Sequence, residues 1–241
     1  LHLSRFMNYV NSNLAREAGR MYGWRERFWA RRYQAIVVSE EDQAQVGRLH
    51  YLLSQGCKEG LVWRPAEWPG ANCVRALMFG TSLKGLWFDR SREYAAKLRG
   101  KRHGRYGFAN ELTLKLAPLP CWAHLSERQR GHRVSELVAQ IEATTLESHE
   151  RGGTSPVGVS KILDRHPHDR PQRPKRAVAP EFHAATRVVR RKLKSAYEGF
   201  VRSYRDAADR LRKGDTSAQF PFGSFPPGLP FASWPLELEP G

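Results

Sequence analysis

The stretch SEEDQAQVGRLHYLLSQGCKEGL, residues 39–61, predicts a helix around which the first part of the chain is organised. Ser39 is a favourable N-cap, and the three acidic residues that follow it lie where the helix dipole stabilises negative charge. Asp42 stands three residues after Ser39, which is a variant of the capping box. We expect Gly56 to end this helix.

The same helix is expected to carry a tyrosine away from its apolar side. Its buried stripe is formed by three aliphatic residues at helical spacing, Val46, Leu49 and Leu53. At about 100° per residue, Tyr51 lies opposite that stripe, and Arg48 and Gln55 share its side. A phenol, an amide and a guanidinium on one outward face suggest a site. The alternative is a solvated face with an interfacial tyrosine, because tyrosine is often partly exposed.

Composition restricts the class of protein. The chain has 241 residues, 40% of them hydrophobic, which is enough for a substantial core. It shows no signal peptide and no apolar run of about 18 residues, so we expect no membrane partner. Its three cysteines are widely spaced and form neither a disulfide framework nor a zinc motif, which favours a reducing cytoplasm. Leu1, in place of Met, begins within a helical pattern, which predicts a missing upstream part.

The positive charge predicts an acidic partner. The net charge is +16 and the pI is about 10.3, a balance that most often indicates nucleic-acid binding. Residues 161–213 contain 16 Lys/Arg against 6 Asp/Glu, a net charge of +10. We therefore expect the non-specific contacts with nucleic acid to be mostly C-terminal, and to include Arg190, Arg191 and Lys194.

The segment before the tyrosine helix predicts a helix and a strand. Residues 3–21 place apolar side chains on one helical face, and residues 27–38 are dense in aromatic and β-branched residues. Alternation along the strand places Arg31 and Arg32 on opposite sides of the sheet. An arginine among aromatics can meet a phosphate or a stacked base. The alternative is a strand end with its charges in water.

The rest of the chain predicts mainly helices. Trp87 and Tyr94 belong to a basic segment that either lies along phosphates or turns its aromatic residues inward. The expected elements are a turn-rich stretch and short helix (62–80), a helix with a basic loop (84–105), a strand (108–117), helices (126–151, 157–165), a Pro/Arg linker (166–180), a long helix (180–213) and an irregular tail.

The order of these motifs resembles the catalytic core of single-tyrosine HUH transposases, of the insertion-sequence type and especially their REP-associated relatives. The matching motifs are Arg32-Tyr33 on the strand, Tyr51 with Gln55, Gly60-Leu61-Val62 and Trp68-Pro69-Gly70. The resemblance covers about residues 1–75 and rests on order and spacing together. It implies an α+β fold with a partial antiparallel, ferredoxin- or RRM-like sheet in residues 1–80. A basic connecting segment (81–117) and a mostly helical extension (118–241) would follow.

The resemblance implies that Tyr51 attacks a DNA phosphodiester, so that the protein cleaves and rejoins single-stranded DNA with hairpins through a 5′-phosphotyrosine intermediate. A phenol has a reference pKa of about 10 and must be deprotonated or polarised to act as a nucleophile. In the family, a divalent metal (Mg²⁺ or Mn²⁺) is held by a His-x-His pair on an upstream strand and by a polar residue one helical turn after the tyrosine. That last position is Gln55.

The expected histidine pair is absent at its place in this sequence. His2 has no partner at the required spacing, and His166-Pro167-His168 lies in the linker, where proline argues against a central strand. DNA cleavage is therefore expected to be impaired in this chain, unless an intact partner in a homodimer supplies the ligands. The alternative is a non-catalytic basic nucleic-acid-binding protein, a transposase remnant. A third possibility is an RNA-associated basic protein.

Overall fold

A computed structural model describes residues 3–29, 33–101, 104, 106–166, 168–169 and 181–224. These residues form an α+β protein rich in helix, as the sequence predicts. The chain divides into two compact units, Leu1–Ser39 together with Arg176–Gly241, and Glu40–Lys175. The division differs from the boundaries predicted near residues 80 and 117, because the tyrosine helix packs against a helix that begins at residue 127.

In its described residues, the first unit contains two long helices and a short parallel strand pair. Its elements are α1 (Leu3–Tyr22), β1 (Val37–Val38), β4 (Phe182–His183) and α7 (Arg187–Arg212). Val37 pairs with Phe182, and Val38 pairs with His183. The Phe182 ring packs edge-to-face on Tyr197 of α7, with ring centroids 5.6 Å apart. This contact joins β4 to α7.

The strand predicted over residues 27–38 is wrong for most of the described part, where only Val37–Val38 is extended in a ladder. The aromatic residues that favoured a strand contact one another instead. Phe28 and Trp29 pack edge-to-face at 4.8 Å, and the Trp29 indole N–H donates to the Asn11 carbonyl oxygen of α1 at 2.9 Å. Arg31 and Arg32 lie outside the described residues.

The second unit contains the remaining elements. They are α2 (Asp42–Lys58), a 3₁₀ turn (Pro65–Glu67), α3 (Val74–Phe79), β2 (Leu83–Phe88), α4 (Arg90–Leu98), β3 (Ala109–Leu114), a 3₁₀ turn (Pro120–Trp122), α5 (Glu127–Gly152) and α6 (Val159–Leu163). β2 and β3 form an antiparallel pair in which Leu83 lies opposite Leu114. Trp87 and Tyr94 are 40% and 65% exposed, so the alternative in which these two side chains turn inward is wrong.

The core of the second unit lies between α2, α3 and α5. Its buried members are Leu53, Cys57, Val62, Val74, Trp122, Val134, Val138 and Ile141. α5 begins at a complete capping box, in which the Ser126 hydroxyl accepts from the Gln129 N–H and the Gln129 amide oxygen accepts from the Ser126 N–H. The helix predicted over residues 126–151 is confirmed: Val134, Val138, Ile141 and Thr145 are buried on one side of it, and Leu137 packs against the core.

The predicted ends of α2 are wrong. Glu41 is the N-cap and makes no side-chain cap, whereas the Ser39 N–H donates to the His183 carbonyl oxygen at 2.9 Å. Gly56 lies within the helix, which continues to Lys58. A Cβ at Gly56 would touch Val62 at 3.0 Å and Trp68 at 3.3 Å. The glycine therefore permits close packing and does not end the helix.

α7 begins seven residues later than the predicted start at residue 180. Phe182 and His183 form a strand, and Thr186 then caps the helix, with its hydroxyl accepting from the Val189 N–H at 3.3 Å. Of the described residues before residue 80, only β1 is a strand, and it pairs in parallel. No helix in the described part of the chain is long and apolar enough to cross a membrane.

Candidate functional site

α2 presents Tyr51 to solvent, as its periodicity predicts. Ala44, Leu53 and Cys57 of this helix are buried, while Tyr51 is 37% exposed and Gln55 is exposed. The predicted stripe residues Val46 and Leu49 pack partly buried against the core. The helix is thus fixed on its apolar side, and this fixes the direction in which the phenol faces.

Three polar side chains surround the phenol. The Gln55 amide N–H donates to the Tyr51 hydroxyl oxygen over 3.5 Å. The Arg48 guanidinium carbon lies 4.7 Å from the Tyr51 ring centroid, and the Lys58 ammonium nitrogen lies 5.1 Å from it. Cations at these distances are attracted by the ring's quadrupole. The structure therefore brings together the predicted residues Tyr51, Gln55 and Arg48, and adds Lys58.

Arg48 carries an unmet hydrogen-bonding requirement. Its Nε is buried and has no hydrogen-bond partner in the described part of the chain. A buried donor without a partner costs free energy that an acceptor can recover. The same guanidinium lies over the Tyr51 ring, so its positive charge would attract an anionic group placed at the phenol.

Two motifs of the resemblance pack on the tyrosine helix. Gly60, with φ of +67°, turns the chain after α2, and the Leu61 N–H donates to the Gly56 carbonyl oxygen at 2.9 Å. Val62 is then buried, at 1% exposure, and Trp68 lies against Gly56. Residues 60–70 therefore pack against α2 at Gly56, about one helical turn after Tyr51.

A buried amide fixes the start of α2. The Gln45 side-chain oxygen accepts from the Cys121 N–H at 3.1 Å, and its nitrogen donates to the Glu40 carbonyl oxygen at 3.2 Å. No local pattern indicates this role for Gln45, because its partner Cys121 is 76 residues away along the chain. Deeper in the core, burial raises the pKa of the Cys57 thiol, and a hydrogen bond with Thr145 opposes that rise.

The described residues near Tyr51 do not form a metal site by themselves. No group of three His, Cys, Asp or Glu side chains in the described part of the chain is arranged to hold a metal ion. Gln55 directs its amide N–H at the phenol, and two cations flank the ring. A divalent cation at Tyr51 would need ligands from outside the described residues.

The linker histidines His166 and His168 contact each other. The rings of His166 and His168 stack with centroids 5.3 Å apart, and the His168 backbone N–H donates to His166 Nδ1 at 3.2 Å. His2 and Pro167 lie outside the described residues.

A second basic surface lies on α7, in the first unit. The helix contains nine Lys/Arg and three Asp/Glu, a net charge of +6. Arg187, Arg190, Arg191 and Lys194 share one face at helical spacing, and all four are exposed. The Lys194 ammonium nitrogen lies 3.6 Å from a Glu198 carboxylate oxygen. Both side chains are exposed, so breaking this ion pair to bind a phosphate costs little free energy. The predicted DNA contacts Arg190, Arg191 and Lys194 are therefore adjacent.

Comparisons with known proteins add no relative. No family model matches the chain, and neither a curated protein nor a solved structure matches it. The geometry of α2 and α7 and the resemblance of the motifs are therefore the grounds for a function.

Proposed function

We propose that this protein is a DNA-binding transposase of the single-tyrosine type, which cleaves and rejoins single-stranded DNA through Tyr51. The observation that carries the proposal is the setting of Tyr51: a half-exposed phenol on a rigid helix, between Arg48 and Lys58 and within reach of the Gln55 amide. Such a setting favours a phosphodiester, because its negative charge meets two cations beside a nucleophilic oxygen.

The proposed reaction exchanges one phosphodiester bond for another. A bond forms between the Tyr51 hydroxyl oxygen and phosphorus, and the bond from phosphorus to the 3′ oxygen breaks. The phenolic proton is lost to solvent, and the departing 3′ oxygen takes up a proton. The products are a 5′-phosphotyrosine and a free 3′-OH. Rejoining is the reverse attack by a 3′-OH, which restores the phenol.

Arg48 and Lys58 are the residues that would bind the phosphate during this exchange. Charge develops on the non-bridging oxygens in the transition state, and fixed cations nearby stabilise it. Arg48 would contribute through the positive charge of its guanidinium, which lies 4.7 Å from the Tyr51 ring centroid. Gln55 would orient the phenol through its hydrogen bond to the hydroxyl oxygen.

Other parts of the proposal rest on the resemblance alone. They are a ferredoxin-like antiparallel core, a divalent metal (Mg²⁺ or Mn²⁺) with ligands from outside the described residues, and a homodimer in which subunits share the site. The described residues hold the tyrosine helix and the antiparallel pair of β2 and β3, but β1 pairs in parallel.

A second candidate is a non-catalytic nucleic-acid-binding protein. It is favoured by the basic face of α7, which belongs to a different compact unit from Tyr51. A face with Arg187, Arg190, Arg191 and Lys194 at helical spacing can follow a phosphate backbone without any chemistry at Tyr51.

A covalent-adduct assay separates the two candidates. The protein is incubated with single-stranded hairpin DNA and Mg²⁺ or Mn²⁺, and the products are resolved under denaturing conditions. The transposase proposal predicts a protein–DNA adduct in low yield, because the expected histidine pair is absent from this chain. This adduct should disappear in Tyr51→Phe while DNA binding persists. Binding without any adduct favours the second candidate.

A further inference from the structure

A cleft between α2 and α5 lies beside the tyrosine face and shares Lys58 with it. Its volume is about 370 Å³, within the range of small-molecule sites. Besides Cys57, eight polar side chains line it: His50, Ser54, Lys58, Thr144, Thr145, Ser148, His149 and Thr154. Every one of these groups can donate a hydrogen bond, and Lys58 carries a positive charge.

No carboxylate lines this cleft in the described part of the chain, although α5 is rich in glutamate. Ile141 and Thr145, both buried, close its inner end. A ligand that enters from solvent therefore meets donors on both walls and no carboxylate. This lining favours a group that accepts hydrogen bonds through several oxygens.

Several of the donors are free to bind a ligand. Thr144, Ser148 and His50 have no side-chain hydrogen-bond partner among the described residues. In contrast, the Ser54 hydroxyl donates to the Tyr51 carbonyl oxygen at 3.1 Å, and His149 Nδ1 lies 2.8 Å from the Thr154 hydroxyl. Thr144 and Ser148 are one helical turn apart on α5, so their hydroxyls lie on the same wall.

Lys58 joins the cleft to the tyrosine face. Its ammonium nitrogen lies 5.1 Å from the Tyr51 ring centroid, and the same side chain lines the cleft. We infer that the cleft binds a phosphate group, either of a free nucleotide or of a DNA strand. This inference stands whether or not Tyr51 cleaves DNA, because it depends on the lining of the cleft alone.

The structure provides a reporter for binding. The Trp63 ring packs edge-to-face on the His149 imidazole, with centroids 5.1 Å apart. Labelling with 5-fluorotryptophan makes the Trp63 resonance sensitive to a ligand at His149, and Trp63→Phe assigns it. The probes are inorganic phosphate, thymidine 5′-monophosphate and a short thymidine oligonucleotide, titrated at constant ionic strength.

The test variant is Thr144→Val/Ser148→Ala, which removes two exposed hydroxyls that hold no part of the fold in the described residues. Its matched control is Ser160→Ala, an exposed hydroxyl on α6 outside the cleft. We expect a saturable shift of the Trp63 resonance with phosphate in the wild type. The double variant should bind about tenfold more weakly, because two hydrogen bonds to a charged group are lost.

Equal affinity in the double variant and the wild type would overturn the inference, as would a Trp63 resonance that phosphate does not shift. The ranking of the probes identifies the source of the phosphate. Tighter binding of the oligonucleotide indicates a DNA strand, and tighter binding of the monophosphate indicates a free nucleotide. Because this titration involves no DNA cleavage, a protein that forms no covalent adduct can still show the shift, so a failure of the cleavage proposal leaves this result intact.

Discussion

The basic face of α7 should determine how strongly DNA binding depends on salt. The perturbation is the triple variant Arg190→Ala/Arg191→Ala/Lys194→Ala. These side chains are exposed, share one helical face and hold no described part of the core. Alanine is the best helix former, so α7 should remain folded. We expect the variant to bind single-stranded DNA with a smaller salt dependence than the wild type.

The size of the effect follows from counterion release. Each phosphate neutralised on a single strand contributes about 0.7 to the slope of log K against log salt, so three lost contacts reduce the slope by about 2. Between about 50 and 200 mM salt, the wild-type affinity should therefore fall about 16-fold more than that of the variant. This ratio corresponds to about 1.6 kcal/mol.

Fluorescence anisotropy with a labelled single strand measures the slope at several salt concentrations. The matched control is Arg5→Ala/Arg16→Ala/Arg20→Ala, which removes the same charge from exposed positions of α1 in the same compact unit. The control should change the slope by about zero if contacts, and not net charge, set the salt dependence. Circular dichroism confirms that both variants keep their helices.

An unchanged slope in the α7 variant would refute the assignment of Arg190, Arg191 and Lys194 as phosphate contacts. An equal change of the salt slope in the two triple variants would show that the net charge of the protein, and not the basic face of α7, sets the salt dependence of DNA binding.

The remaining predictions concern stability in the second unit and on α7. Ile141→Ala should lower the free energy of unfolding by about 2–5 kcal/mol, because the side chain is 2% exposed, whereas Leu146→Ala, 49% exposed on the same helix, should change it by no more than about 0.5 kcal/mol. Equal losses in urea denaturation would contradict the position of the core. A Cβ at Gly131 would clash with the Met78 carbonyl oxygen, so Gly131→Ala should be less stable, whereas Gly199→Ala, with nothing within 4 Å, should gain about 0.5–1 kcal/mol. A stabilised Gly131→Ala would contradict the close approach of α3 and α5.

The helices that could be predicted best are those with a strong local signal. In α5, the helix predicted over residues 126–151 is found at Glu127–Gly152. The outward face of α2 was also predictable, because periodicity places Tyr51 opposite Leu53 whatever the ends of the helix are. These features depend on residues that are near in sequence.

The features that could not be predicted depend on residues far apart in the chain. β1 pairs with β4 about 145 residues later, and no local pattern in Val37–Val38 indicates this partner. Aromatic density from Phe28 to Trp29 predicted a strand, but those rings pack together beside α1. Gly56 was expected to end a helix, and its packing against Trp68 explains why it does not.

The residues around Tyr51 and in the cleft also differ in how far they could be predicted from the sequence. Lys58 lies seven residues after Tyr51, a spacing that places both on one helical face, so periodicity contained a signal for it. Thr144 and Ser148 reach the cleft from α5, and only the packing of α5 on α2 brings them near His50. Single residues on one helix are therefore accessible to sequence reasoning, whereas a cleft between two helices is not.

The most direct test of the central claim is the position of a covalent bond between protein and DNA. After incubation with hairpin DNA, the adduct is digested and the modified peptide is identified by mass spectrometry. We predict that the nucleotide is attached to Tyr51, that Tyr51→Phe forms no adduct, and that Tyr33→Phe still forms one. An adduct that persists in Tyr51→Phe, or a nucleotide attached to Tyr33, would contradict the claim that Tyr51 is the nucleophile.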